Sequence, residues 1–105
     1  MGLDYDTLKV TFPNLIYATI IGYGEKGPKA EHPAFDTVAM FAECGFMQDM
    51  VVNTEGTYPM YLPFAVGDLA CGTMLAGAIG TALYGRSKTG HGDYVSVSLF
   101  GTGML

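Results

Sequence analysis

Leu69 to Tyr84 is a run of sixteen residues without a charge, preceded by one acid, Asp68. Within it Leu69, Thr73, Ala76, Ile79 or Gly80, and Leu83 recur at three- and four-residue steps, so the spacing predicts a helix. Arg86 and Lys88 close its far end, where the macrodipole favours cations. Asp68 then stands at or near the N-cap, where its carboxylate is either a cap or a reagent. Asp is among the preferred N-cap residues, and the unpaired N–H groups that hold its anion would equally hold an oxyanion forming beside it. Spacing alone does not choose between the two.

Sixteen residues that include Gly72, Gly77 and Gly80 fall short of the roughly 20 needed to cross a bilayer, and the polar flanks lack an aromatic belt. The expectation is a buried core helix. Its small residues Gly72, Ala76 and Gly80 form a ridge that another backbone approaches closely.

Half of the 105 residues are apolar, 14% are charged and 15 are glycine, which points to tightly packed elements and to a piece of a larger body. The net charge is −5, and the five cations, Lys9, Lys26, Lys29, Arg86 and Lys88, are scattered. Neither nucleic acid nor an anionic membrane is an expected partner. Cys44 and Cys71 form no C-x-x-C pair and no signal peptide precedes them, so they read as reduced thiols of a cytoplasmic protein.

Along the chain, Asp4 to Lys9 reads as a short amphipathic helix ended by Pro13. Leu15 to Ile21 is a β-branched, nearly continuous apolar run, the pattern of a strand buried on both faces of a parallel sheet. Gly22 to Lys29 is a loop, Phe35 to Phe46 has helical apolar spacing starting near Asp36, and residues 51 to 63 form a second loop. After the Asp68 helix come a Ser87-to-Gly92 turn and a strand from Tyr94 to Leu99. The fold class is α/β. Two strands do not make a covered parallel sheet, so the remaining strands are expected from elsewhere.

Gly22-Tyr23-Gly24-Glu25-Lys26-Gly27 matches G-x-G-x-x-G, but a dinucleotide site needs a helix to open at those glycines, and Pro28 and Pro33 follow instead. A mobile turn is the better reading. His32 and His91 have no partner at metal-ligand spacing, so no metal site is expected. His32, in a loop with Glu31, is an acid–base candidate that reads first as a solvated side chain. The methionines beside aromatic residues either fill a core or line an adaptable apolar pocket, and core filling is favoured. Arg86 to Gly92 reads as a helix C-cap rather than a phosphate contact.

With these residues in view, the chain resembles the class III coenzyme A transferases, which include formyl-CoA and carnitine-CoA transferases and the related acyl-CoA racemases. The resemblance rests on Gly2-Leu3-Asp4-Tyr5 with Leu8-Lys9, Pro13 to Tyr17, Gly22-Tyr23-Gly24 with Gly27-Pro28, Phe35-Asp36, Gly67-Asp68, and Arg86 with Thr89-Gly90, Gly92, Tyr94-Val95 and Val97 to Leu99. It implies part of a Rossmann-like parallel-sheet domain, with residues 1–105 as one segment incomplete at both ends.

The resemblance further implies that Asp68 is the catalytic nucleophile, carrying coenzyme A as an aspartyl thioester while it moves between carboxylic acids. Gly67 would leave room for the incoming acyl group, Gly72 would be a second close-approach position, and Phe35 would wall the pocket. No permanently bound cofactor is implied, coenzyme A thioesters being substrates, and the complete protein is expected to be an interlocked homodimer. Racemases of the family add a histidine at the position of Phe35, so its absence favours a transferase, and the 2-hydroxy-acid branch is the expected one. An acyl-CoA racemase, with His32 as substitute base, and a non-catalytic oligomerisation piece are the alternatives.

Overall fold

The computed structural model describes residues 2–50 and 64–104. The expected loop at 51 to 63 lies outside the described residues. Helix α1 covers Tyr5–Thr11 and is capped by Asp4, whose carboxylate accepts from the Thr7 N–H at 2.9 Å. That bond to the anionic form holds the Asp4 carboxyl below its usual value.

Strand β1, Ile16–Ile21, pairs in parallel with β2, Asp93–Ser98, in a register that sets Ile16 against Asp93 and Ile21 against Ser98. The two form a two-stranded sheet. Burial on both faces, expected for β1, is not met by the described residues: Ala18 and Ile20 are exposed while their neighbours are half-buried. One glycine is essential to the pairing. A Cβ at Gly92 would stand 1.8 Å from the Leu15 carbonyl oxygen, and the Gly92 N–H donates to the Pro13 carbonyl at 2.9 Å, so backbone lies directly on backbone where β2 begins.

Helix α3, Val66–Thr89, is 24 residues long rather than sixteen. It takes in Ser87 to Thr89, expected in a turn, and stops at Gly90, whose positive φ of 74° lets its N–H close on the Arg86 carbonyl. At this length α3 is long and apolar enough to cross a membrane, so the shortness argued from the sequence does not hold. The cause is that Arg86 and Lys88 lie inside the last turn, where cations favour helix, and do not end it.

The predicted helix from Phe35 to Phe46 is two pieces. Thr37–Ala42 is a π-helical turn, in which the Glu43 N–H reaches back five residues to the Val38 carbonyl at 3.0 Å. Gly45, at φ 91°, breaks the chain before the short helix α2, Phe46–Asp49. After β2 the chain turns into α4, Leu99–Gly103, which the sequence did not announce; Ser98 caps it, its hydroxyl accepting from the Gly101 N–H at 3.0 Å.

The core is small. Ala39, Cys71 and Leu99 are buried together, with Tyr23, Ala34, Met40 and Val97 packed around them. These residues come from the π turn, the first turns of α3, and the region where β2 passes into α4. The other end of α3 is fastened to the lead-in of β1, where Arg86 Nη1 donates to the Asn14 carbonyl at 3.1 Å. The helix therefore runs against the strands, and its N-terminus lies at their carboxyl ends, where open parallel sheets gather their sites.

Candidate active site

Asp68 is the third residue of α3, within its first turn, and its side chain is exposed. Ala65, not Asp68, holds the N-cap position, and it offers no side-chain oxygen. The cap comes from another element. Asp36, at the head of the π turn, makes no bond to its own turn and instead accepts from the Gly67 N–H through Oδ2 at 3.1 Å. Its anion thus sits at the positive end of the α3 dipole, where a carboxylate is favoured.

This arrangement explains Gly67 differently from the sequence reading. A Cβ there would lie 2.0 Å from Asp36 Oδ1 and 2.2 Å from Met40 Sδ, so the room expected for an acyl group is filled by this chain's own side chains. The Gly67 N–H is engaged by Asp36, and the Val66 N–H donates to the Phe64 carbonyl at 2.8 Å. An oxyanion beside Asp68 would not be held by either of these two donors. At Gly72 no atom among the described residues comes within 4 Å of a Cβ, so the close approach expected there is not made by them.

Beside Asp68 opens a cavity of about 290 Å³. Phe35, Met40, Phe41, Phe46 and Phe64 give it an apolar wall, and Asp36 and Asp68 bring carboxylates to its lining. Phe35 is 78% exposed, so its ring stands at the mouth. The structure brings Phe35, Gly67 and Asp68 to one cavity and leaves Gly72 outside its lining. Of the methionines beside aromatic residues, Met40 lines the cavity and Met47 does not, while Met60 lies outside the described residues; Met50, which has no aromatic neighbour in sequence, joins the wall.

His32 is not brought to this cavity. Its ring meets the Tyr23 ring edge-on, with centroids 6.3 Å apart, and it stays exposed. The G-x-G-x-x-G loop opens no helix; Gly24 and Gly27 have φ of 96° and 109°, and the loop is tied to the π turn by Lys29, which pairs with Glu43. Tyr23 Oη donates to the same carboxylate at 3.0 Å. The Lys29 ammonium, aided by the Tyr23 hydroxyl, holds the Glu43 carboxyl below its usual range. Cys71 is buried in the core, and the Cys44 thiol lies 3.4 Å from the Ala39 carbonyl and 3.3 Å from the Phe100 carbonyl, either of which can accept its one hydrogen. Burial pushes the Cys44 thiol up, away from reactivity at neutral pH. No group of three or more metal-ligating side chains occurs among the described residues.

Sequence reasoning missed Asp36 as a partner of Gly67. The acid was visible as a helix start, but a contact across 31 residues leaves no local signal.

The sequence pattern of CoA-transferase family III matches residues 1–105, the whole chain. The chain is 44% identical over 103 residues to the cinnamoyl-CoA:phenyllactate CoA-transferase of Clostridium sporogenes, covering 98% of this chain and 24% of that protein. It is 43% identical to the (R)-2-hydroxy-4-methylpentanoate CoA-transferase of Clostridioides difficile, covering 97% of this chain and 25% of that one. The crystal structure of a CAIB/BAIF family protein from Brucella suis superposes with a TM-score of 0.86 at 33% identity, over 98% of this chain and 26% of that one. The chain thus spans about a quarter of the length of the relatives it matches.

Proposed function

The chain belongs to CoA-transferase family III, and from that premise we propose that it carries the reacting carboxylate, Asp68, of an enzyme that moves coenzyme A between carboxylic acids. The observation that carries this reading is the position of Asp68: an exposed acid in the first turn of a long helix, on the wall of an apolar cavity at the carboxyl ends of parallel strands. The names of the relatives from Clostridium sporogenes and Clostridioides difficile support CoA transfer, and they favour 2-hydroxy acids among the acids served.

In this reading the Asp68 carboxylate attacks the thioester carbonyl of the donor acyl-CoA. The C–S bond breaks, CoA leaves as thiolate, and an acyl–aspartyl anhydride remains. The thiolate then attacks the aspartyl carbonyl, displaces the donor acid as carboxylate, and leaves an aspartyl-CoA thioester. The acceptor carboxylate attacks that thioester and expels the thiolate, which attacks the acceptor's acyl carbon in the new anhydride. The acceptor leaves as its CoA thioester and the Asp68 carboxylate is restored. Each step takes in one anion and releases one, so no proton has to move. That suits a site whose wall offers aromatic rings, two thioethers, the Thr37 side chain and two acids, with Phe35 where the resemblance puts the histidine of a racemase.

Peptide-level mass spectrometry tests it. After incubation with an acyl-CoA, the protein purified from its natural source should carry an acyl or CoA adduct on the peptide holding residue 68, and the Asp68→Asn variant should carry none. Absence of the adduct from both would overturn the reading. The exposed apolar faces of α3 would then favour an assembly role.

A further inference from the structure

Two carboxylates line the cavity, and they stand in different conditions. Asp68 lies in the first turn of α3, where the positive end of a helix draws an acid toward its own N–H groups. That place is taken by Asp36, whose Oδ2 accepts from the Gly67 N–H at 3.1 Å across 31 residues of chain, while the Asp68 side chain stays exposed. Gly67 itself is buried, and a Cβ on it would stand 2.0 Å from Asp36 Oδ1 and 2.2 Å from Met40 Sδ. The backbone one residue before Asp68 is therefore seated directly on the π turn. Helix ends fray where nothing fixes them, and here the fixed point adjoins the residue whose direction matters. Asp36 also heads a π-helical turn, a form that recurs at functional sites.

From this we infer that Asp36 is a positioning residue for the reaction at Asp68: by holding the Gly67 N–H it fixes the first turn of α3, and with it the line along which the Asp68 carboxylate meets the thioester carbonyl. The inference rests on the reading of Asp68 as the reacting carboxylate. Attack needs the reacting atoms about 3–3.5 Å apart with their orbitals aligned, and a misplacement of about 1 Å costs on the order of a hundredfold in rate. Without the Asp36 bond the backbone before Asp68 is freer, and the carboxylate samples directions that miss the carbonyl. The same placement counts in every step, since Asp68 is nucleophile toward the acyl-CoA and its carbonyl is then the electrophile that the thiolate attacks. Asp36 acts through Gly67 and not on the substrate, so its removal lowers kcat and spares KM.

The test uses the protein from its natural source, unaltered or changed at one codon, with 4-methylpentanoyl-CoA as donor and 2-hydroxy-4-methylpentanoate as acceptor. It reads kcat, KM and the single-turnover rate at which the peptide holding residue 68 gains its adduct, on samples that circular dichroism shows to be folded. Asp36→Ala should lower kcat and the adduct rate by about thirtyfold or more and leave KM within about threefold. Asp36→Asn, whose amide oxygen can still accept from the Gly67 N–H, should keep both rates within about fivefold of the unaltered protein. A folded Asp36→Ala protein with unchanged rates, or with its whole loss in KM, overturns the positioning role and leaves that of Asp68 standing. Equal losses in Asp36→Ala and Asp36→Asn would trace the rate to charge at the cavity instead of to the bond, and would overturn it as well. Should Asp36→Ala not fold, Gly67→Ala takes its place, because its methyl dislodges the carboxylate while the charge remains; unchanged rates there overturn the inference. No adduct at residue 68 of the unaltered protein, from this or any other acyl-CoA, overturns both readings.

Discussion

At the N-terminal end of α3 a methyl group on Gly67 would stand 2.0 Å from Asp36 Oδ1, whereas at Gly72, Gly77, Gly80 and Gly85 no described atom comes within 4 Å of one. The residue type and the helix are the same, and the reasons for glycine are opposite. The first turn is pinned by the chain's own π turn, which spends a carboxylate and a thioether on it. The body of the helix exposes Leu69 by 64% and Tyr84 by 67%, and it carries glycines that each cost about 1 kcal/mol relative to alanine. A helix apolar on all sides at that cost is built to be covered. The contrast separates a first turn that is fastened by contacts among the described residues from a helix body that those residues leave largely uncovered.

The largest effect that can break this contrast is at Gly67. Gly67→Ala should lower stability by about 1–3 kcal/mol in chemical denaturation, because the new methyl must displace the Asp36 carboxylate and so break its bond to the helix. Adding Asp36→Ala should recover part of the loss, giving a coupling of about 0.5 kcal/mol or more between the two sites. A neutral Gly67→Ala would mean that the first turn is not pinned.

The next effect has the opposite sign. Gly77→Ala should stabilise the protein by about 0.5–1 kcal/mol, since alanine gains helix propensity and meets no atom of the described residues. A loss instead would reveal a neighbour packed on that face of α3, and the two kinds of glycine would become one.

These glycines also mark how far the sequence could be read. The apolar run from Leu69 to Tyr84 announced α3, and the β-branched run from Leu15 to Ile21 announced β1, because both signals, one periodic and one continuous, are local. A ridge of Gly72, Ala76 and Gly80 was read as a place for close approach, and no atom among the described residues comes within 4 Å of a Cβ at Gly72 or Gly80. Asp36 was legible as a helix start, yet its carboxylate serves Gly67, and nothing within a few residues of either encodes that bond. The π turn escaped as well: Val38, Met40 and Phe41 fit a 3.6-residue period, and nothing in that pattern separates an α-helix from the π turn that packs against α4 and α3. Asp68 stood out only as an acid before an apolar helix. The cavity beside it is assembled from two segments distant in sequence, so its apolar wall became visible only in three dimensions.

The smallest expected effect sharpens the contrast by reaching the pinned end from a distance. Lys29 and Tyr23 hold Glu43, which closes the π turn whose head carries Asp36. The Glu43 carboxyl is held down chiefly by Lys29, so its contribution is present above the ordinary carboxylate range and is lost as pH falls through the lowered value. Lys29 is raised chiefly by its bond to Glu43, so its contribution is present below the ordinary ammonium range and is lost as pH rises through the raised value. The pair therefore acts between those limits, and high salt weakens it because both groups remain partly in water. Glu43→Gln should lower stability slightly at neutral pH, and its difference from the unaltered protein should vanish on acidification. Amide exchange shows where the loss falls. If the clamp steadies the π turn, exchange at Gly67 quickens in the variant while Gly77 and Gly80 keep their rates. Equal quickening along α3 would mean that the helix loosens as one body, and that its two ends do not differ in how they are held.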